Sequence, residues 1–417
     1  MPAVFTGLRR GPAYIRYMNK EFMTHVSALA LTKAADGLIN PKLVLAWLLN
    51  ALGAPGYLIG FLVPVRESGS LFPQLLFARM LERRSQRKYF WAGGAAVQGI
   101  AAFGMAAAAA FLDGAAAGWT ILLCLAVLAV ARSVCSASFK DILARTVEKG
   151  RRGRVSGLAG TLSAVVVLLF ALLLSFNILP RDPVVIAIAI ALAGILWLLA
   201  SFIFTTLDEP EAETSDDAEQ SLKGLSKPLR EDGEFRTYIA TRALLISTAL
   251  APPFLIMLGG GESENGFGNL GLLILASSIA SIVSSYLWST FADYSSRKTL
   301  MVAGGVSAVI FALAAVGGAF GAGGGWLIAV YVFFAQIAYQ GARAGRKTHL
   351  TDMDSHDRKP VYTALSNTMI GMLLLAGGIF GVIADAAGPQ LVLGIMAVLS
   401  GTAVLVGSRL SEVQQEE

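Results

Sequence analysis

The chain has 417 residues, 55% of them hydrophobic and only 15% charged, with a mean hydropathy of +0.64, well outside the composition of a soluble domain. Its formal charge of +5 does not point to nucleic acid, because the Lys and Arg are shared among loops instead of gathering on one face. Cys124 and Cys135 fall on one predicted helix about 16 Å apart at helical rise, too far to pair with each other. With no CxxC or Cys/His grouping, and with His25, His349 and His356 scattered, no metal or cofactor site is expected.

Residues 1–22 carry Arg9, Arg10, Arg16 and Lys20 without an apolar run leading to a small-residue cleavage site, and read as a basic cytoplasmic leader. Apolar stretches then recur, each able to cross about 30 Å of hydrocarbon as a helix. Six are expected at Met23–Ala46, Pro55–Arg79, Tyr89–Leu112, Gly118–Ser138, Val155–Asn177 and Val184–Thr206. Six more follow at Thr237–Leu258, Phe267–Phe291, Thr299–Ala319, Gly325–Ala344, Val361–Ala384 and Leu391–Gly407. The fold class expected is therefore an all-α polytopic membrane protein of twelve transmembrane helices, as a 23–206 bundle and a 237–408 bundle, with a 409–417 tail. The turns after spans two, four, eight and ten hold sixteen Lys and Arg, among them Arg84, Lys88, Arg151, Arg154, Lys347 and Lys359, whereas the opposite loops offer Arg181 and little else. The positive-inside bias places those turns and both termini in the cytoplasm. The one long hydrophilic connector, 207–236, is acidic and then basic, and reads as a tether too polar to fold alone.

The two halves match in order. Glu21-Phe22-Met23-Thr24 answers Glu234-Phe235-Arg236-Thr237, and the turn Ala78 to Arg87 answers Ser289 to Lys298. Parallel six-helix repeats let a transporter rock around a central site. In this turn the chain resembles the major facilitator superfamily, whose signature there is G-x-x-x-D-R-x-G-R-R. The second copy keeps Asp293, Arg297 and Lys298 but has Ser289 and Ser296 for the glycines and Tyr294 for the first base; the first copy has Glu82 for the acid and Gln86 for one base. The phrases Asp36 to Lys42 and Pro64 to Gln74 are similar to those of a bacterial branch of that family. The resemblance implies a fold of two pseudo-symmetric bundles in the cell inner membrane, a monomer in lipid that moves a small molecule. It also implies a cytoplasmic gating latch from Glu82, Arg83, Arg87, Asp293, Arg297 and Lys298. Thr161 to Phe176 lacks the Gly-Pro signature of drug/proton antiporters, which argues against that branch.

Charges at membrane depth are costly and mark functional paths. Lys33, Asp36 and Asn40 share one face of the first span at i, i+3 and i+7. Glu67 lies about 22 Å from Glu82 along its helix and Asp36 about 24 Å from Lys20, so the two acids occupy similar depths and are the proton-coupling candidates, Glu67 first. Arg66 points about 100° away from Glu67; its planar fork, with that of Arg132, suits an anionic substrate, although Arg132 could instead hold a carboxylate. In span ten Gln336, Tyr339, Gln340 and Arg343 form a polar stripe that either lines the cavity or glues helices. Arg242 is expected to snorkel, and Pro252-Pro253 to kink the outer part of span seven. With no P-loop and no nucleophile–base spacing, the chain reads as a non-enzymatic secondary transporter coupled to protons. The competing readings are an uncoupled facilitator and a transporter-like receptor or lipid-handling protein using the tether.

Overall fold

The computed structural model describes residues 12–71, 73, 77, 80, 84–148, 151–176, 178–180, 182–211, 227–259, 270–321, 325–353 and 359–413. Among the described residues every regular element is a helix: α1 (Pro12–Leu38), α2 (Val44–Ala51), α3 (Gly56–Leu71), α4 (Lys88–Phe111), α5 (Gly114–Thr146), α6 (Arg152–Ser175) and α7 (Pro183–Thr205). After the short α8 (Lys227–Glu231) come α9 (Gly233–Leu244), α10 (Ser247–Leu258), α11 (Leu270–Tyr294), α12 (Ser296–Ala319), α13 (Gly325–Asp352), α14 (Lys359–Ala376), α15 (Ile379–Ala387) and α16 (Pro389–Gly407). Eight described helices are long and apolar enough to cross a membrane. The expected crossings outside that set run along α1–α2, α3, α11 and α13. Three of these carry the charges at membrane depth, Lys33 and Asp36, Arg66 and Glu67, and Arg343, and of α11 the stretch Leu270–Ser284 is apolar.

Helix starts follow from local chemistry. Asp182 caps α7 by accepting from the Val184 N–H at 2.7 Å, with Pro183 at the first helical position. Asp232 does the same for α9 through Phe235 (3.0 Å), and Ser295 for α12 through Lys298 (3.1 Å). Between α15 and α16, Gly388 holds φ 84°, a left-handed turn that glycine adopts without a Cβ penalty.

Three crossings are interrupted. The expected single helix Met23–Ala46 is two: Pro41 has no N–H, and Asn40 before it is driven out of helical geometry. The Asn40 carbonyl accepts from Val44 (2.8 Å) and Leu45 (3.1 Å), and its Oδ1 from the Lys42 N–H at 2.9 Å. Asn40 is thus a turn residue and not a third member of a helical stripe with Lys33 and Asp36. In the second half the break falls at Leu245-Ile246, while α10 runs through Pro252 and Pro253. There Ser247 Oγ donates to the Leu244 carbonyl (2.9 Å), while the Leu245 carbonyl accepts both the Thr248 N–H (3.1 Å) and Thr248 Oγ1 (2.8 Å), so hydroxyls support the backbone at the break. The third interruption, Gly377-Gly378, separates α14 from α15.

Packing groups the helices in two sets. In the first α4 packs on α5 and α7, α1 on α6 and α7, and α3 on α5; in the second α12 packs on α13 and α16, α11 on α13, and α10 on α16. The sets meet through α3 against α14 and α15, and α6 against α11. Glycine permits the closest of these approaches: a Cβ on Gly60 would collide with Gly381 backbone, and one on Gly271 with Leu174 and Ser175. Large apolar side chains on the outer faces, such as Leu162, Val165 and Leu169 of α6 and Ile188 and Phe202 of α7, are exposed, as acyl chains would require.

The start of α1, the end of α16 and the described parts of the basic turns share one end of the molecule, here the terminal end; the opposite is the far end. One apolar core crosses from set to set, joining Leu58, Ile59 and Leu62 to Leu250, Phe254 and Ala384. Toward the terminal end it continues in the first set alone, through Trp91, Ile142, Phe204 and Leu207, and two smaller clusters lie beside it. Phe22, Val26, Leu143 and Val155 form one in the first set; Phe235, Tyr238, Leu300 and Tyr362 belong to the other in the second. The sets are sealed together at the far end, where Asp385 of α15 also accepts the Tyr57 N–H at the start of α3 (2.9 Å).

Candidate functional site

Of the acids at membrane depth, Asp36 faces inward within the first set. Its Oδ1 accepts from Arg66 Nη2 at 2.7 Å and its Oδ2 from Arg132 Nη1, so α1, α3 and α5 are tied by one carboxylate between two guanidinium groups. Lys33 does not pair with Asp36; its Nζ donates to the Ser156 carbonyl of α6 at 3.0 Å. Lys33, Asp36, Arg132, Gln98 and Cys135 line a cavity of ≈ 180 Å³. The expected role of Arg132 as partner for a carboxylate is the one its geometry fills.

Glu67, one residue after Arg66, points to the other set, as the 100° step between neighbours demands. It lines a cavity of ≈ 60 Å³ with Arg242, Thr248, Tyr339, Arg343 and Arg346. Its carboxylate has no ion-pair partner within 4.0 Å among the described residues, although the charges of Lys42, Arg66, Arg346 and Arg343 act on it. Lys42, in the break between α1 and α2, places Nζ 3.3 Å from the centre of the Tyr339 ring, a cation–π contact across the two sets. The other members of the α13 stripe turn aside: Gln336 Nε2 and Gln340 Nε2 donate to Ser281 Oγ of α11 at 3.0 and 3.4 Å. Of the three stripe residues proposed to line the cavity, Tyr339 alone has that position.

Arg242 does not snorkel. It is 7% exposed, and its guanidinium donates to Ser366 Oγ and to Asn367 Oδ1 (3.1 Å), both neutral. Its buried Nε has no partner among the described residues. Sequence reasoning also passed over Arg346 and Lys42. Continuing the stripe from Tyr339 and Arg343 by one more step, at i+4 and i+7, would have reached Arg346; nothing local marks Lys42, whose place depends on the break at Pro41.

At the terminal end Glu82 and Arg83 lie outside the described residues, as do Arg181, His356 and residues 212–226 of the tether. Arg87 pairs with Asp141 at 2.9 Å, and Arg145 bridges Asp141 to Glu209 (3.5 Å). Arg297 pairs with Glu412 at 3.2 Å and donates to the Leu410 carbonyl (3.3 Å). Asp293 is exposed and has no ion pair among the described residues, and Lys298 lies 5.4 Å from the Tyr294 ring. Arg145 and Arg297 thus meet acids that follow the last helix of their own set, Glu209 and Glu412, while Arg87 stays within α4–α5 through Asp141. The repeat is visible in the bonding: Glu21 accepts from the Asp208 N–H (3.2 Å) and Glu234 from that of Ser411 (2.8 Å). Lys88 binds the Leu207 carbonyl (2.6 Å) and, through its N–H, Glu209 (2.7 Å), as Arg297 binds Leu410 and Glu412. That equivalence is two residues out of step with the alignment of Arg87 to Lys298.

Burial raises the Glu21 carboxyl against the Asp208 bond, and lowers His349, which sits between Ser296 (2.9 Å) and Glu234 (3.5 Å). A hollow of ≈ 670 Å³ between the outer faces of α4 and α5 is lined by Phe77, Val97, Val127 and similar groups; its lining holds no charged group, and it is a lipid-facing groove away from this chemistry.

A family model described as Major Facilitator Superfamily matches residues 26–262, more than half the chain. The protein belongs to the Major Facilitator Superfamily. It is a multi-pass membrane protein, and membership supports a solute transporter. A variant of the nucleoside transporter NupG shares the fold with a TM-score of 0.72 at 14% identity, over 94% of this chain and 100% of that one. The inward-open xylose transporter XylE from E. coli gives 0.69 at 11% identity, over 96% and 98%. A POT family transporter in complex with 5-aminolevulinic acid gives 0.68 at 9% identity, over 94% and 95%. A comparison with curated proteins found no match. At such identities the structural likeness speaks to fold alone.

Proposed function

We propose that this superfamily member carries a small solute by alternating access between two six-helix bundles, 23–206 and 237–408, tethered by 207–236, with proton coupling through Glu67. The observation that supports it best is the division of the apolar core, continuous at the far end and parted at the terminal end. Such a shape is one half of a rocking cycle around a mid-depth site. On this reading the chain crosses an inner membrane twelve times with its termini and basic turns in the cytoplasm, and the opening faces the cytoplasm. The solute site joins the cavity of Lys33, Asp36 and Arg132 to that of Glu67, Tyr339, Arg242, Arg343 and Arg346, with Arg66 bonded to Asp36 beside them; Asn40, Gln336 and Gln340 support its walls. Arg87, Asp293, Arg297 and Lys298, with Glu82 and Arg83, latch the cytoplasmic ends in the opposite state. The transporter acts as a monomer.

A carboxylate at such depth that is free of a fixed partner can exchange a proton as the chamber changes sides; Asp36, with both oxygens engaged, is the weaker candidate. The test is uptake of a mixed solute panel into proteoliposomes, read by mass spectrometry, with and without a pH gradient. Gradient-driven accumulation abolished by Glu67→Gln is expected. Equal accumulation without the gradient identifies an uncoupled facilitator, and no uptake of any solute under either condition overturns the transport reading.

A further inference from the structure

The chamber between the sets carries more positive charge than it neutralises. Asp36 answers Arg66 and Arg132. That leaves Glu67 as the one acid lining the cavity that also holds Arg242, Arg343 and Arg346. Arg242 is the most telling of the three. It is 7% exposed, its hydrogen-bond partners Ser366, Asn367 and Tyr238 are not carboxylates, and its Nε is unsatisfied among the described residues. A buried guanidinium without a counter-charge is strongly disfavoured, so a carrier that keeps one gains by pairing it with an anion at some point in its cycle. Arg343 and Arg346 stand at i and i+3 on α13, on one helix face, so their like charges add to the demand. Lys42 contributes a fourth cation, fixed over Tyr339.

We propose that the transported solute is a small anion bearing a carboxylate or phosphoryl group, gripped by the guanidinium groups of Arg242, Arg343 and Arg346. The planar fork of arginine matches either group through paired N–H donors, and three such forks around one small hollow select for charge before shape. The charges of Arg343 and Arg346 also act on Glu67, which competes with the incoming anion for them. This deepens the transport reading and rests on it for the word transported; recognition of the anion stands on the chamber alone.

The experiment uses the full chain purified in detergent and the same protein in proteoliposomes. The probes are succinate, acetate, inorganic phosphate and glycerol 3-phosphate, with uridine and xylose as neutral controls suggested by the solutes of the structural neighbours. Expected is a saturable rise in thermal stability with at least one anion and with neither control, and entry of that anion into proteoliposomes. The double variant Arg343→Gln, Arg346→Gln, whose side chains make no hydrogen bond among the described residues, should weaken the anion response at least tenfold without lowering the unliganded melting temperature. Arg242→Lys, which keeps the charge but not the fork, should weaken it too. Stabilisation by uridine or xylose with no response to any anion overturns the proposal while leaving a transporter. No response to any of the four anions also overturns it, as does an anion response that survives the double variant. An anion that binds through these arginines but never enters the vesicles leaves the binding site standing and removes the transport reading instead.

Discussion

Asp36→Asn is the substitution whose cost the geometry sets most directly. It removes one negative charge and leaves Arg66 Nη2, 2.7 Å away, and Arg132 facing a neutral amide that cannot accept from both. Deleting one partner of a fully buried pair costs about 3–5 kcal/mol. The side chains of Asp36 and Arg66 are 19% and 11% exposed but that of Arg132 is 37% exposed, so water absorbs part of the Arg132 charge and the loss should be about 2–4 kcal/mol. With an unfolding entropy near 2 cal/mol/K per residue, a chain of this size loses roughly 1 °C per kcal/mol, so the melting temperature should fall by about 2–5 °C. The assay is thermal unfolding of the detergent-solubilised protein followed by tryptophan fluorescence, as a cycle with Arg132→Gln and the double variant. Removing both charges should cost less than the sum of the single losses, with a coupling of about 1–3 kcal/mol. A melting temperature unchanged by Asp36→Asn, or strictly additive losses, would refute a carboxylate shared by α1, α3 and α5.

Gly60→Leu should force α3 from α15, because even a Cβ there collides with Gly381; a cysteine at Tyr57 should then react faster with a membrane-impermeant maleimide added at the far side, and an unchanged rate would show that this contact does not seal the far end. Because burial lowers His349 below its ordinary 6.5, the unfolded chain binds a proton that the folded one resists, so stability is present above that value and is lost as pH falls through it. Wild type should therefore lose more melting temperature than His349→Gln between about pH 7.5 and pH 5.5, and parallel curves would contradict the buried neutral imidazole. As the coupling reading requires, Glu67→Gln should abolish gradient-driven accumulation and leave exchange of solute at equilibrium; accumulation at the wild-type level would assign proton coupling elsewhere.

The architecture was legible where apolar length and loop charge decide it. Runs such as Val184–Thr206 and Leu391–Gly407 became single helices, and the match of Glu21 to Glu234 reappeared as the same backbone bond in each set. What was not legible depends on which way a helix is rotated and where it breaks. Lys33, Asp36 and Asn40 look like one stripe until Pro41 ends the helix, and Pro252-Pro253 look like a kink until neighbouring hydroxyls settle the break at Leu245-Ile246. Gln336 and Tyr339 sit one turn apart on α13, yet Ser281 claims the first and Lys42 the second. Pairings between distant segments, such as Arg297 with Glu412 beyond the last helix, have no local signature at all.

Alternating access is tested most directly by pairs of spin labels placed at both ends, after Cys124 and Cys135 are replaced by Ser. One pair, at exposed Arg154 and Tyr294, spans the terminal ends of α6 and α11; the other, at Phe176 and Ala386, spans the far end. Two conformations should be populated, with the terminal pair shortening as the far pair lengthens, and Asp385→Ala, which removes the acceptor for the Tyr57 N–H, should raise the share of the far-open form. A single unchanged distance at both ends, in wild type and Asp385→Ala alike and at either pH, would contradict a chamber that opens to one side at a time.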